Sequence, residues 1–246
     1  MYTLVLPAKK EQEKSKRLVW IHGWGGSHEG MLPLANYFSD TFENVLVDLD
    51  GFGRAAEPEQ PVSSKEYAKN LCDFLDTLPN KDTIVCGFSY GGRVAVHTAL
   101  LSDKVKGLVL LSAAGIPARH SLLWKIKAFF IKKVRHIAEN HKNFVFLKKF
   151  AKGSRDYEQA SAVMKKTLVM SLREDISSAA AKVKFPALLV YGEKDTATPL
   201  YMAREYNRLL PDSELHTLPN TDHLSVLTSP HTINIIEQFL TEKFLK

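Results

Sequence analysis

Residues 82–101 read DTIVCGFSYGGRVAVHTALL, and the fold turns on how this stretch is parsed. DTIVCG at 82–87 is a short, uniformly apolar run of the kind a buried strand requires. From Tyr90 to Leu101 the apolar residues recur at helical spacing instead. The join holds Gly87, Ser89 and Gly91 in the pattern Gly-x-Ser-x-Gly. A strand that enters a helix within one residue leaves no room for side chains two positions either side of the turn, so both must be small. Such a turn lifts the Ser89 hydroxyl to the top of a sheet, at a helix N-terminus. Three fixed positions carry little weight alone; the strand before and the helix after supply it.

Working outward, apolar runs of the same type recur as RLVWIHG at 17–23, NVLVDLDG at 44–51, VKGLVLLS at 105–112 and PALLVYG at 186–192. Strands this apolar belong to a parallel sheet covered on both faces. YTLVL near the N-terminus reads as an added edge strand and SELHTL at 213–218 as the final one. Helix-period segments fall between them, near 29–38, 63–78, 90–101, 199–210 and 230–245. Alternating strands and helices imply right-handed crossovers and an α/β fold with a doubly wound, mostly parallel sheet. The alternation stops between about 117 and 182. There SLLWKIKAFFIKKVRHIAEN at 121–140 places Leu122, Leu123, Trp124, Ile126, Phe129, Phe130, Val134 and Ile137 along an approximate helical stripe. We expect residues 117–182 to be a helical lid inserted on top of the sheet, with 1–116 and 183–246 forming the core.

The bulk properties agree with one domain carrying one insertion: 246 residues, 45% hydrophobic, 24% charged, without repeats or low-complexity tracts. Cys72 and Cys86 sit inside apolar segments and read as free core thiols, not as a disulfide or metal site. In MYTLVLPAKKEQEKSKR the apolar run precedes the positive charges, the reverse of a secretory signal. No stretch approaches the roughly 20 apolar residues that cross a bilayer. The expected location is the cytoplasm. Of the net charge of +6, the segment from Lys125 to Arg155 carries +9, ten Lys or Arg against Glu139 alone, which leaves −3 for everything else.

A serine hydroxyl is a poor nucleophile near neutral pH. It needs a base within hydrogen-bond reach and a third group that holds the base in the right tautomer. His223, in Asn220-Thr221-Asp222-His223-Leu224, follows the last expected strand; Asp195, in Tyr191-Gly192-Glu193-Lys194-Asp195, follows the strand before it. Both stand at C-terminal strand ends, where the loops of an open α/β sheet converge. We expect Ser89 as nucleophile, His223 as base and Asp195 as orienting acid. His216 lies on a strand and His231 at a helix start, both poorly placed for the base. Asp195 has a competing reading as a cap ahead of Pro199. A tetrahedral intermediate also needs donors aimed at its oxyanion. His22-Gly23-Trp24-Gly25-Gly26 follows an early strand and can offer the Trp24 amide, with the Tyr90 amide as the second donor. His22 is expected to be structural. This chemistry needs no metal and no organic cofactor.

With these pieces in place, the chain resembles the α/β-hydrolase superfamily from about Arg17 onward, through HGWGG at 22–26, DLDGFGR at 48–54, GFSYGG at 87–92, GEKD at 192–195 and Asp222-His223. HGWGG and DLDGFGR are similar to the branch of pimeloyl-[acyl-carrier protein] methyl ester esterases and carboxylesterases. The resemblance implies an ester or related acyl bond cleaved through an acyl-enzyme. Asp222 stands where a common family pattern has Gly, and no Asp follows the strand at 105–111, so the alternative acid position used by some members is empty. A serine nucleophile argues against the carboxylate chemistry of epoxide and haloalkane hydrolases. Lyase, perhydrolase and thioesterase chemistries keep the same three residues and stay open, as does a non-catalytic ligand binder. Proline iminopeptidases are relatives whose Gly-Gly-Pro-Gly-type loop differs from HGWGG.

Gly23, Trp24, Phe88 and Tyr90 flank the serine and are expected near an apolar acyl pocket, with Trp124, Phe129 and Phe130 contributed by the lid. Asp48, Asp50 and Arg54 read as loop-stabilising residues. The basic lid, with Lys132, Lys133, Arg135, Lys148 and Lys149, is either a solvated face or an electrostatic guide for an acidic partner. The small-molecule acyl ester could arrive on an acidic acyl carrier protein, and a basic amphipathic helix could equally meet an anionic membrane. No nucleic-acid motif accompanies the charge.

Overall fold

The computed structural model describes residues 1–10, 16–117 and 160–245. Seven strands form one sheet in the order β1-β3-β2-β4-β5-β6-β7, with β1 (Tyr2–Leu6), β2 (Arg17–Ile21), β3 (Glu43–Asp48), β4 (Thr83–Phe88), β5 (Val105–Leu111), β6 (Ala187–Gly192) and β7 (Ser213–Leu218). β1 runs antiparallel to β3, and every other neighbouring pair is parallel. β2, β4 and β6 are buried at every position, which is why they read as unbroken apolar runs. Along β2, Val19 and Ile21 join the core on one face, while Leu18 and Trp20 join the core on the other.

Helices cover both faces. α1 (His28–Phe38) buries Met31, Leu34, Ala35 and Phe38 on the face shared with Ile236, Phe239 and Leu240 of the last helix. α2 (Ser64–Thr77) and α3 (Tyr90–Leu101) cover the other face. α2 starts where Ser63 and Glu66 cap one another: the Ser63 hydroxyl accepts from the Glu66 N–H, and the Glu66 carboxylate accepts from the Ser63 N–H. From the expected lid, α4 (Ala162–Arg173) and α5 (Ser177–Ala180) fall within the described residues, and 118–159 lie outside them. Met164 of α4 packs on Gly51, the Val62 N–H donates to the Thr167 hydroxyl, and the Ile176 N–H donates to the Gly115 carbonyl. The chain closes with α6 (Leu200–Leu209), α7 (Ser225–Thr228) and α8 (Pro230–Phe244). Among the described residues no helix is long and apolar enough to cross a membrane.

The strand order sets the site. From β2 the chain moves outward to β3 and then returns to place β4 on the other side of β2. The loops leaving β2 and β4 therefore diverge at their C-terminal ends and leave a crevice, the position where open α/β sheets receive ligands. His22 to Trp24 leave β2 there, and Ser89 leaves β4.

Candidate active site

Ser89 sits between β4 and α3 with φ 50° and ψ −114°, a left-handed backbone on a residue that carries a Cβ. The surroundings hold it there. Its N–H donates to Leu111 O at 3.0 Å, and its carbonyl accepts from the N–H groups of Gly92 at 3.0 Å and Ala114 at 2.9 Å. The turn can be this sharp because backbone packs on backbone: a Cβ at Gly87 would lie 2.5 Å from Gly91 O, and one at Gly91 would lie 2.4 Å from Ile21 O. Both small positions read from the sequence are thus steric requirements of α3 lying against β2 and β4.

His223 follows β7, and its Nε2 lies 3.0 Å from Ser89 Oγ. Its other nitrogen, Nδ1, lies 2.7 Å from Asp195 Oδ2. A carboxylate can only accept, so the ring proton belongs on Nδ1 and the Nε2 lone pair faces the serine hydroxyl. Asp195 is buried, and its Oδ1 accepts from the N–H groups of Ala197 at 2.9 Å and Thr198 at 2.8 Å. Asp195 thus faces the imidazole with Oδ2 and closes the turn ahead of α6 with Oδ1; it is not the helix cap, since α6 starts from Pro199 without a side-chain cap. Burial pushes this carboxyl up, but the hydrogen bonds it accepts from His223 and from the Thr198 N–H and hydroxyl more than reverse it, and its pKa lies below the ordinary value. The Phe88 ring backs the imidazole at 4.9 Å between centroids.

The β2 loop closes over the serine. A Cβ at Gly23 would lie 3.1 Å from Ser89 Cβ and 3.0 Å from the Phe88 ring, so a larger residue here would push on Phe88 and Ser89. His22 is buried and pins the loop at both ring nitrogens: Nδ1 lies 2.7 Å from Gly23 O, and Nε2 accepts from the Leu49 N–H at 3.2 Å. Burial lowers its pKa, which keeps the ring neutral and able to accept. Below it, Asp48 accepts from the N–H groups of His28 and Arg54 and from the His28 ring, tying the start of α1 to the loop after β3. Tyr90 supplies the first N–H of α3, which no carbonyl four residues earlier can satisfy within the helix.

The family model for the alpha/beta hydrolase fold matches residues 16–230. The chain belongs to this family. Among curated relatives, a pimeloyl-[acyl-carrier protein] methyl ester esterase of Vibrio cholerae is 30% identical over 233 residues, covering 86% of this chain and 88% of that one. The AB hydrolase superfamily protein YisY of Bacillus subtilis is 28% identical over 243 residues, covering 90% of each. Among solved structures, a bacterial membrane phospholipase A superposes with a TM-score of 0.74 at 20% identity, covering 98% of this chain and 86% of that one, a likeness of fold.

In this alpha/beta hydrolase, Trp24 is half-buried, with its ring edge-on to Phe52 at 4.9 Å and to Tyr90 at 5.4 Å. The side chains of Phe88 and Tyr90 are buried. Among the described residues a cavity of about 450 Å³ opens beside Trp24, walled by Gly25, Phe52, Glu57 and Met164; Ser89 and His223 are not among its walls. Trp124, Phe129, Phe130, Lys132, Lys133, Arg135, Lys148 and Lys149 lie outside the described residues. Among the described residues no group of three or more His, Cys, Asp or Glu is spaced to hold a metal.

Three contributors to the site escaped the sequence reading. Thr198 places its hydroxyl 2.8 Å from Asp195 Oδ2. Ser112, just past β5, takes a left-handed φ of 43° and is fully buried. Asp222, standing where glycine is common, accepts from the Ser225 N–H at 2.9 Å and its hydroxyl at 2.7 Å, and so closes the turn that carries His223. The Asp222/Ser225 spacing is a capping signature that the sequence does display. A left-handed serine has no such signal.

Proposed function

We propose that the protein is a serine carboxylesterase that cleaves an ester or a related acyl bond through an acyl-enzyme. The observation that carries this reading is the pair of contacts running from Asp195 Oδ2 to His223 Nδ1 at 2.7 Å and from His223 Nε2 to Ser89 Oγ at 3.0 Å. Ser89 Oγ attacks the substrate carbonyl while its proton passes to Nε2. The negative charge on the former carbonyl oxygen is met by the amides of Trp24 and Tyr90. The imidazolium, steadied by the ionised Asp195, protonates the leaving alkoxide, and the C–O bond breaks. A water then adds to the acyl-enzyme, its proton goes to Nε2, and collapse returns that proton to Ser89 as the acid departs.

Residues 117–182 form the cap in this reading, over a body made of 1–116 and 183–246; the docking of α4 and α5 on the loops after β3 and β5 supports the division. Two buried free thiols fit a reducing, cytoplasmic setting. Steady-state hydrolysis of an aryl acetate tests the chemistry. Ser89→Ala and His223→Ala should each lose at least about 1000-fold in kcat, and turnover unchanged in either would remove it.

The finer reading is a carrier-linked acyl ester. Its support is the relative named for a pimeloyl-[acyl-carrier protein] methyl ester, together with the +9 carried by residues 125–155. An acidic carrier steered by that charge gives a kcat/KM for the carrier-linked methyl ester above that of the free methyl ester, and the advantage shrinks with salt. A carrier-to-free ratio that is the same at about 50 and about 500 mM salt, where the Debye length is roughly 14 and 4 Å, would count against the carrier.

A further inference from the structure

Asp195 Oδ2 has two donors. One is His223 Nδ1 at 2.7 Å and the other is the Thr198 hydroxyl at 2.8 Å. Thr198 is 2% exposed, and its oxygen also lies 3.0 Å from the Ser112 carbonyl and 3.3 Å from His223 Nδ1. One hydroxyl proton thus faces two acceptors, and a hydroxyl lone pair faces the imidazole N–H. While Asp195 is ionised, the charge-assisted bond to Oδ2 takes the proton. Ser112 is itself fixed, since its N–H donates to Val190 O at 2.9 Å while its left-handed backbone turns the carbonyl toward Thr198.

We propose that Thr198 is a positioning residue of the relay: its hydroxyl donates to the Oδ2 edge of Asp195, holds that edge against His223 Nδ1 and so selects which ring nitrogen carries the proton. The proposal rests on the reading of Ser89, His223 and Asp195 as nucleophile, base and acid. Two backbone amides fix Oδ1, and among the described residues the hydroxyl and the imidazole alone fix Oδ2. Without the hydroxyl the carboxylate can rotate about its Oδ1 anchor, and an apolar group takes the place of the lone pair beside Nδ1. The imidazolium formed during acyl transfer then has one acceptor where it had two. Thr198 acts through Asp195 and His223, so its removal should lower kcat and leave KM unchanged.

The test compares Thr198→Val, which keeps the shape, with Thr198→Ser, which keeps the hydroxyl; Thr198→Ala replaces Val should Val pack badly. For aryl ester hydrolysis, Val or Ala should lower kcat about tenfold, the loss expected for one hydrogen bond to a charged group, with KM within about twofold, and Ser should restore most of the rate. The downfield proton resonance of the His223 Nδ1–H···Asp195 bond should move in Val and Ala and keep its position in Ser. Equal kcat in the Val and Ser proteins, or an unmoved resonance in Val, would overturn the proposal. A wild-type protein without turnover would defeat the esterase reading instead, and the resonance would still decide the role of Thr198.

Discussion

Replacing Ser89 by glycine should make the protein both inactive and more stable than replacing it by alanine. At φ 50° and ψ −114° the backbone of Ser89 sits where a Cβ is disfavoured, at a cost of order 1–3 kcal/mol. Alanine keeps the Cβ and hence the strain; glycine removes both. Glycine's added freedom in the unfolded chain takes back roughly 0.4–1 kcal/mol. The balance favours glycine by about 1 kcal/mol, within a range of about 0 to 2.5. Both variants lose the hydroxyl, so the 3.0 Å contact with His223 cancels in the comparison. For a chain of this length, about 1 kcal/mol moves the melting temperature by about 2–4 °C. Calorimetry of the two variants in one buffer reads the difference directly. A glycine variant that melts at or below the alanine variant would refute the claim that strain is stored at Ser89.

Other consequences follow from the groups around the relay. His22 has a folded pKa below its ordinary 6.5 because burial disfavours the cation, so its contribution to stability is complete above that value and is lost as pH falls through the folded pKa. Urea unfolding at pH 7.5 and 5.5, values chosen about one unit either side of the ordinary pKa, should show a smaller loss in His22→Gln than in wild type; equal losses would contradict this. Asp222→Ala removes the acceptor for the Ser225 N–H and hydroxyl and should lower the melting temperature. The same change should lower kcat with little effect on KM, and a protein unchanged in both melting temperature and kcat would show that the cap does not position His223.

Much of the fold was legible because burial on both faces writes itself into composition. RLVWI, TIVCGF and ALLVYG are apolar at nearly every position since each face of the sheet is covered by helices. SELHTL carries polar residues at four of its six positions because β7 is an edge strand whose residues are mostly only half-buried. That Ser89, Asp195 and His223 would meet was legible for a related reason, since each follows the C-terminal end of a parallel strand. What the sequence hid was conformational. The Ser112 left-handed turn depends on what surrounds β5, and the Thr198 hydroxyl becomes meaningful only once β5, β6 and the His223 loop meet. α7 spans Ser225–Thr228, too short for a helical period to show.

Covalent labelling with a fluorophosphonate, read by peptide mass, addresses the central claim with the fewest assumptions. The reagent reacts with a serine oxygen only where a base removes its proton and donors stabilise the phosphoryl oxygen. A single adduct is expected on the peptide containing Ser89 in wild type, with sharply slower labelling in His223→Ala and none at that peptide in Ser89→Ala. Labelling at another residue, or an equal rate with and without the His223 imidazole, would contradict it.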